Sequence, residues 1–80
     1  MSSNENILAD LQSIFRAEFS DQTIILNEST TADEIKMWDS ITHMGLMFSI
    51  EQHYNISFSL DEIISFQSIG DLVNTIKVKI

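Results

Sequence analysis

Few side chains in this 80-residue chain could do chemistry, and none is a cysteine. That removes a thiolate nucleophile, a thiolate metal site and any disulfide. The hydroxyl that stands out is Ser40, in the run Trp38-Asp39-Ser40-Ile41-Thr42-His43-Met44. Asp39 is a favoured N-cap, because its carboxylate accepts a hydrogen bond from an otherwise unpartnered N–H of the first helical turn. Ser40 therefore falls at a helix start, where the partial positive charge favours a phosphate or phosphodiester. His43 follows three residues later and can share a helix side with Ser40. A Ser–His hydrolase needs more than this pair. No acidic orienter for that histidine, no oxyanion loop and no Gly-x-Ser-x-Gly is evident. His43 and His53 are ten residues apart, on different helix faces, and make no metal site. The acidic residues follow no calcium-loop pattern.

The helix expected over 39–54 has an unusual pattern. At about 100° per residue, Leu46, Ile50 and Tyr54 gather on one side, with Met47 at its edge. Ile41, Met44 and Phe48 gather roughly opposite. One apolar stripe is enough to seat a helix on a core. The second stripe lies beside Ser40 and reads as a docking ridge for other proteins. Methionine suits a surface that meets several partners in turn. Ser40 is the one hydroxyl flanked by both an N-cap acid and such a ridge.

Asp39-Ser40-Ile41, followed by apolar residues at helical spacing and by Glu51 and Tyr54, resembles the acyl carrier protein family and its peptidyl carrier relatives. The likeness spans nearly the whole chain. In that family the serine of an Asp-Ser-Leu motif accepts 4′-phosphopantetheine from coenzyme A, and the arm's thiol holds acyl or aminoacyl groups as thioesters. The resemblance carries attachment to Ser40, beside Asp39, and partner contact to Ile41, Met44 and Phe48. It implies a non-enzymatic carrier, here a stand-alone one. Its partners would be a phosphopantetheinyl transferase, an acyl-activating ligase and other acyl-handling enzymes with basic docking surfaces. Asp39, Glu51, Asp61 and Glu62 would supply negative charge around that face. Ile56, Leu60 and Ile63 would line a recess for the acyl chain. The pathway would be fatty-acid-like or a specialised polyketide or nonribosomal one. Two departures weigh against general fatty-acid enzymes as partners, since Lys36-Met37-Trp38 replaces the glycine that often precedes Asp-Ser and only Glu51 is acidic between Ser40 and Tyr54; Trp38-Asp39-Ser40 followed by His43 resembles discrete carriers dedicated to a specialised pathway. The competing reading is an acidic helical adaptor that binds a partner helix through the Ile41, Met44 and Phe48 ridge.

Charge and length set the remaining bounds. Twelve acidic and four basic side chains give a formal charge of −8. That opposes nucleic-acid binding, which needs a basic patch, and favours basic partners found by electrostatic steering. It also keeps a small domain soluble and monomeric. The polar start, Met1-Ser2-Ser3-Asn4-Glu5, does not look like a signal peptide, and no apolar run approaches the length a membrane helix needs. A cytoplasmic protein is expected.

Residues 1–80 read as a single all-α domain, a small four-helix bundle of three longer helices and one short one. Helix 4–19 is capped by Ser2 with Glu5, or by Ser3 with Asn6, and buries Ile7, Leu8, Leu11, Ile14, Phe15 and Phe19. A long loop over 20–38 is pinned by Ile24, Ile25 and Leu26 and anchored by Trp38, with one helical turn over Ala32–Lys36 after Thr31. A strand over 23–26 is the alternative, though no second strand is evident to pair with it. Ser59 and Glu62 form a capping box for a short helix carrying Leu60, Ile63 and Ile64. Ser68 with Asp71 opens the last helix, whose core stripe is Ile69, Leu72, Val73 and Ile76. Gly70 in its first turn should cost little. Gly45, mid-helix, points to a close approach at that face. The tail over 77–80 is expected to fray.

Overall fold

The computed structural model describes residues 4–80, so the expected Ser2 and Ser3 caps lie outside the described residues. Helix α1 (Asn4–Phe19) presents Ile7, Leu11, Phe15 and Phe19 at four-residue steps, and all four are buried. It packs against α2 (Ser40–Tyr54) and α4 (Ile69–Lys79). α2 contributes Leu46, Met47 and Ile50 to the core, and α4 contributes Ile69, Leu72, Val73 and Ile76. The short α3 (Leu60–Ser65) adds Ile63. Met47, expected at the stripe's edge, is only 1% exposed. The architecture is the expected all-α bundle of four helices. Among the described residues no strand forms, and none of the helices is long and apolar enough to cross a membrane.

The crossover from α1 to α2 is stitched down at both sides. Arg16 Nε donates to the Ile24 carbonyl at 2.8 Å, and the Leu26 N–H donates to Gln12 Oε1 at 3.0 Å. Leu26 is buried and Ile24 packs on the core, but Ile25 is 75% exposed, so two of the three expected pins hold. Successive side chains in an extended segment alternate sides, and Ile25 falls on the outer one. One 3₁₀ turn, Ala32–Glu34, follows Thr31 as expected, although it is shorter than Ala32–Lys36. Beyond it Trp38 is buried, edge-on to Phe15 with ring centroids 5.1 Å apart.

The start of α4 is tied to the same loop. The N–H groups of Ile69 and Gly70 donate to the carbonyls of Thr30 and Glu28, both at 2.8 Å, and Thr31 makes a lone bridge with Ser68. These bonds satisfy donors that a helix start leaves open. They also bring backbone so close that a Cβ on Gly70 would sit 2.9 Å from the Glu28 carbonyl oxygen. Gly70 is therefore a packing requirement and not a cheap first-turn residue. At Gly45 a Cβ would meet the Glu18 carboxylate at 3.3 Å, the close approach expected there. That carboxylate also accepts a hydrogen bond from the Ser49 hydroxyl at 2.7 Å.

The C-terminal turn of α4, expected to fray, is drawn into contacts. It is helical through Lys79, and Lys77 Nζ donates to Asn4 Oδ1 at 3.0 Å while Lys79 Nζ pairs with Glu62 at 3.1 Å. α2 ends on Asn55 in the left-handed conformation, φ 55°.

Gly70→Ala is expected to destabilise the fold by about 1–3 kcal/mol, since backbone must move. Gly45→Ala meets only a flexible side-chain tip and regains helix propensity, so it should cost less or stabilise. Urea titrations of the two variants check this, and equal losses would contradict it. Acid provides a second check. The Asp39 carboxyl is held below its ordinary 3.8, first by the Thr42 N–H. A depressed carboxyl stabilises the fold above its unfolded value and loses that contribution as pH falls through its folded value. Asparagine caps nearly as well without titrating. The melting-temperature gap between wild type and Asp39→Asn should therefore narrow below about pH 4. A gap independent of pH would contradict the assignment.

Candidate functional site

Asp39 is extended, with φ −121°, and its Oδ1 accepts from the N–H groups of Ile41 and Thr42, each at 2.9 Å. Thr42 reciprocates: its Oγ1 accepts from the Asp39 N–H at 2.8 Å and donates to the Met37 carbonyl at 2.7 Å. The turn before α2 and the first turn of α2 are thus one hydrogen-bonded unit. Ser40 is the first residue of α2, exposed, and no described residue hydrogen-bonds its hydroxyl. The cap uses the residues on both sides of Ser40 and leaves its oxygen free.

Two apolar surfaces meet at this point. On the outer side Ile41, Met44 and Phe48 are 83%, 51% and 61% exposed. Leu60 and Ile64 of α3 are also exposed. Ile64 is a member of the apolar surface that sequence reasoning assigned only to its helix. Between α2 and α3 lies a cleft of about 410 Å³ whose lining includes Ser40, Trp38, His43, Met44, Ile63 and Phe66. Of the three residues expected to line a recess, Ile63 is in this cleft. Ile56 packs against the core elsewhere, and Leu60 is 67% exposed.

The acidic residues are less free than their spacing implied. Glu51 is half-buried and its Oε2 accepts from the Phe58 N–H at 2.7 Å. Glu62 accepts from the Ser59 N–H at 2.8 Å and pairs with Lys79. These bonds, that N–H first, hold its carboxyl below the usual range. Asp39 is occupied by the cap. Asp61 remains exposed at the start of α3. Three of the four carboxylates, those of Asp39, Glu51 and Glu62, thus hold backbone N–H groups.

His43 is bonded at both ring nitrogens. Trp38 Nε1–H donates to Nδ1 at 2.8 Å, and Nε2 lies 2.8 Å from the Ile63 carbonyl. The two rings lie within 23° of parallel, edge to edge across that bond, with centroids 5.8 Å apart. With Nδ1 occupied by the indole donor and Nε2 by a carbonyl, this histidine has no free lone pair with which to activate Ser40. Nothing in the residue order pointed to either bond, since Ile63 lies 20 positions away. Among the described residues no group of three or more His, Cys, Asp or Glu could hold a metal ion. The site thus offers an accessible alcohol at the positive end of a helix without its own base. Such an oxygen suits a group placed on it by another enzyme, and an anionic linkage there is favoured by the helix end.

The chain matches the family model described as the phosphopantetheine attachment site over residues 9–76. Its fold is similar to the solution structure of the holo acyl carrier protein from Geobacter metallireducens. The TM-score is 0.84 and the identity 42%, over 90% of this chain and 83% of that one. Among curated proteins none matches significantly. An open hydroxyl between a bare ridge and a cleft is what a tethered arm requires. With these matches, it follows that the chain belongs to the phosphopantetheine-bearing acyl carrier protein family.

Proposed function

We propose that Ser40 is the attachment point of 4′-phosphopantetheine and that the protein presents acyl or aminoacyl groups to biosynthetic enzymes without catalysing a step itself. The observation that carries this reading is the exposed Ser40 hydroxyl, unengaged on the first turn of α2 while its neighbours form the cap. When bound, the group supplies a thiol that holds its cargo as a thioester. Ser40 would contribute the nucleophilic oxygen that bonds to the phosphorus of the phosphopantetheine of coenzyme A, as the pyrophosphate linkage breaks and adenosine 3′,5′-bisphosphate leaves. Its proton leaves to a base of the transferase, because His43 has no lone pair to spare. Asp39 fixes the first turn that carries Ser40 and adds negative charge beside it.

Ile41, Met44 and Phe48 form the docking ridge, and Asp39, Glu51, Asp61 and Glu62 give it an acidic surround. Partners are the transferase, an acyl-activating ligase and other acyl-handling enzymes with basic surfaces. The cleft lined by Ile63 and its neighbours receives the cargo, and Ile56 and Leu60 lie outside its lining. The absence of any acid from Ile41 to Ile50 supports service in a dedicated pathway over general fatty-acid synthesis. A cytoplasmic setting keeps the thiol reduced.

Incubation with coenzyme A and a broad phosphopantetheinyl transferase should add the mass of one phosphopantetheine. Ser40→Ala should add none while unfolding within about 0.5 kcal/mol of wild type. An unmodified wild type, or a modified Ser40→Ala, would contradict the reading. Ile41→Ala should lower kcat/KM for that transfer about tenfold at unchanged stability, as expected for an anchor at the centre of an interface. Raising salt should slow the wild-type reaction through its on-rate. Wild-type kinetics for Ile41→Ala would remove the ridge from the docking surface.

A further inference from the structure

α3 is too short to hold itself in place. A helix of six residues is marginal on its own, and of its residues only Ile63 is buried. Among the described residues two polar contacts tie it to other helices. One is the ion pair of Lys79 with Glu62, whose side chains both reach solvent, and such pairs are weak. The other comes from His43 of α2, whose Nε2 lies 2.8 Å from the Ile63 carbonyl. That carbonyl belongs to the last turn of α3, which leaves its acceptors open. The N–H four residues on, at Gln67, donates instead to Asp71 at 3.0 Å. A histidine can close such a helix end. An indole N–H can only donate, so the Trp38 bond makes Nδ1 the acceptor and leaves the ring proton on Nε2, facing the carbonyl. Trp38 is itself buried against Phe15 of α1. The C-terminal end of α3 is thus closed from another helix, by the residue three positions after Ser40.

We propose that His43 is a positioning residue for the attachment reaction, acting through α3: its bond to the Ile63 carbonyl holds Ile64 beside Ser40 and Met44 as one surface for the transferase. The inference rests on attachment at Ser40. Ser40, Met44 and Ile64 border one cleft, and His43 lies in its wall. Met44 and Ile64 are 51% and 71% exposed, so a partner can reach both. Ser40 and Met44 share α2, so that helix alone sets their spacing. Ile64 keeps its distance from them only through the few ties of α3. His43 has both ring nitrogens engaged and touches no reacting atom. The flanks of α3 are anchored separately, by the Phe58 N–H on Glu51 and by Phe66 edge-on to Phe58. Loss of the His43 bond therefore costs α3 its placement and leaves the bundle folded.

The test follows transfer from coenzyme A by a broad transferase at varied carrier concentration, with loading read by mass. Asparagine at position 43 puts an oxygen where Nδ1 stands but stops short of Ile63, whereas glutamine extends an amide N–H to where Nε2 stands. His43→Asn should raise KM for the carrier about fivefold with kcat within about twofold of wild type. His43→Gln should return KM to the wild-type value. Ile64→Ala should raise KM about fivefold in the wild-type background and add nothing to His43→Asn, because both remove the same placement. A purely structural loss could mimic the rise only by leaving most of the carrier unfolded at the assay temperature, which circular dichroism would show. Should His43→Asn prove unfolded, His43→Ser takes its place. Independently of transfer, imidazole nitrogen spectra of the unloaded wild type should show His43 with bare Nδ1 and protonated Nε2. Wild-type KM in His43→Asn, no recovery in His43→Gln, an additive Ile64→Ala or the opposite tautomer would each overturn the proposal. A wild type that takes up no phosphopantetheine would instead remove the attachment at Ser40.

Discussion

Everything at the working end of this protein depends on the reciprocal cap between Asp39 and Thr42. A helix start has open N–H groups, and in a small domain they are a cost unless side chains or other backbone take them. Here one carboxylate takes two of them, and the threonine hydroxyl returns a bond to the Asp39 N–H and another to the Met37 carbonyl. The cap ends the crossover, starts α2, and fixes the azimuth of the residue between its two members. Ser40 is held in place by its neighbours, and its side chain contributes no hydrogen bond. Its oxygen can be modified without a load-carrying contact being lost.

The rest of the fold makes room for that arrangement. α2 is apolar on two sides, and only the Leu46, Met47 and Ile50 side is spent on the core. A chain of this size has little apolar surface to spare, so the exposed ridge must be offset elsewhere. α1 and α4 supply fully buried stripes, and the long crossover is fastened to them by Arg16, Gln12 and the first N–H groups of α4. Gly70 permits that last contact, since any side chain there would meet the Glu28 carbonyl.

Local signals were legible in the sequence. The four helices, the caps at Asp39, Ser59 and Ser68, the doubled apolar face of α2 and the open position of Ser40 all follow from spacing and residue type. What remained hidden depends on partners distant in the chain. Glu51 and Glu62 look like free surface charge until the Phe58 and Ser59 N–H groups and Lys79 are placed beside them. Lys77 and Lys79 look like a loose tail until Asn4 and Glu62 hold them. The burial of Leu26 but not Ile25 is set by the direction of an irregular segment, for which no periodic rule exists. The two bonds of His43 join residues on three different elements, and no local pattern announces them.

The central claim is that the Ser40 oxygen lies outside the packing that holds the fold together. It is tested most directly by comparing backbone amide NMR spectra before and after a transferase has loaded the protein. Shifts confined to the amides from Trp38 to Met44 and to the facing residues of α3, with α1 and α4 unmoved, are the expected result. Shifts spread through the cores of α1 and α4 would show that the oxygen was part of the packing, and would contradict the account.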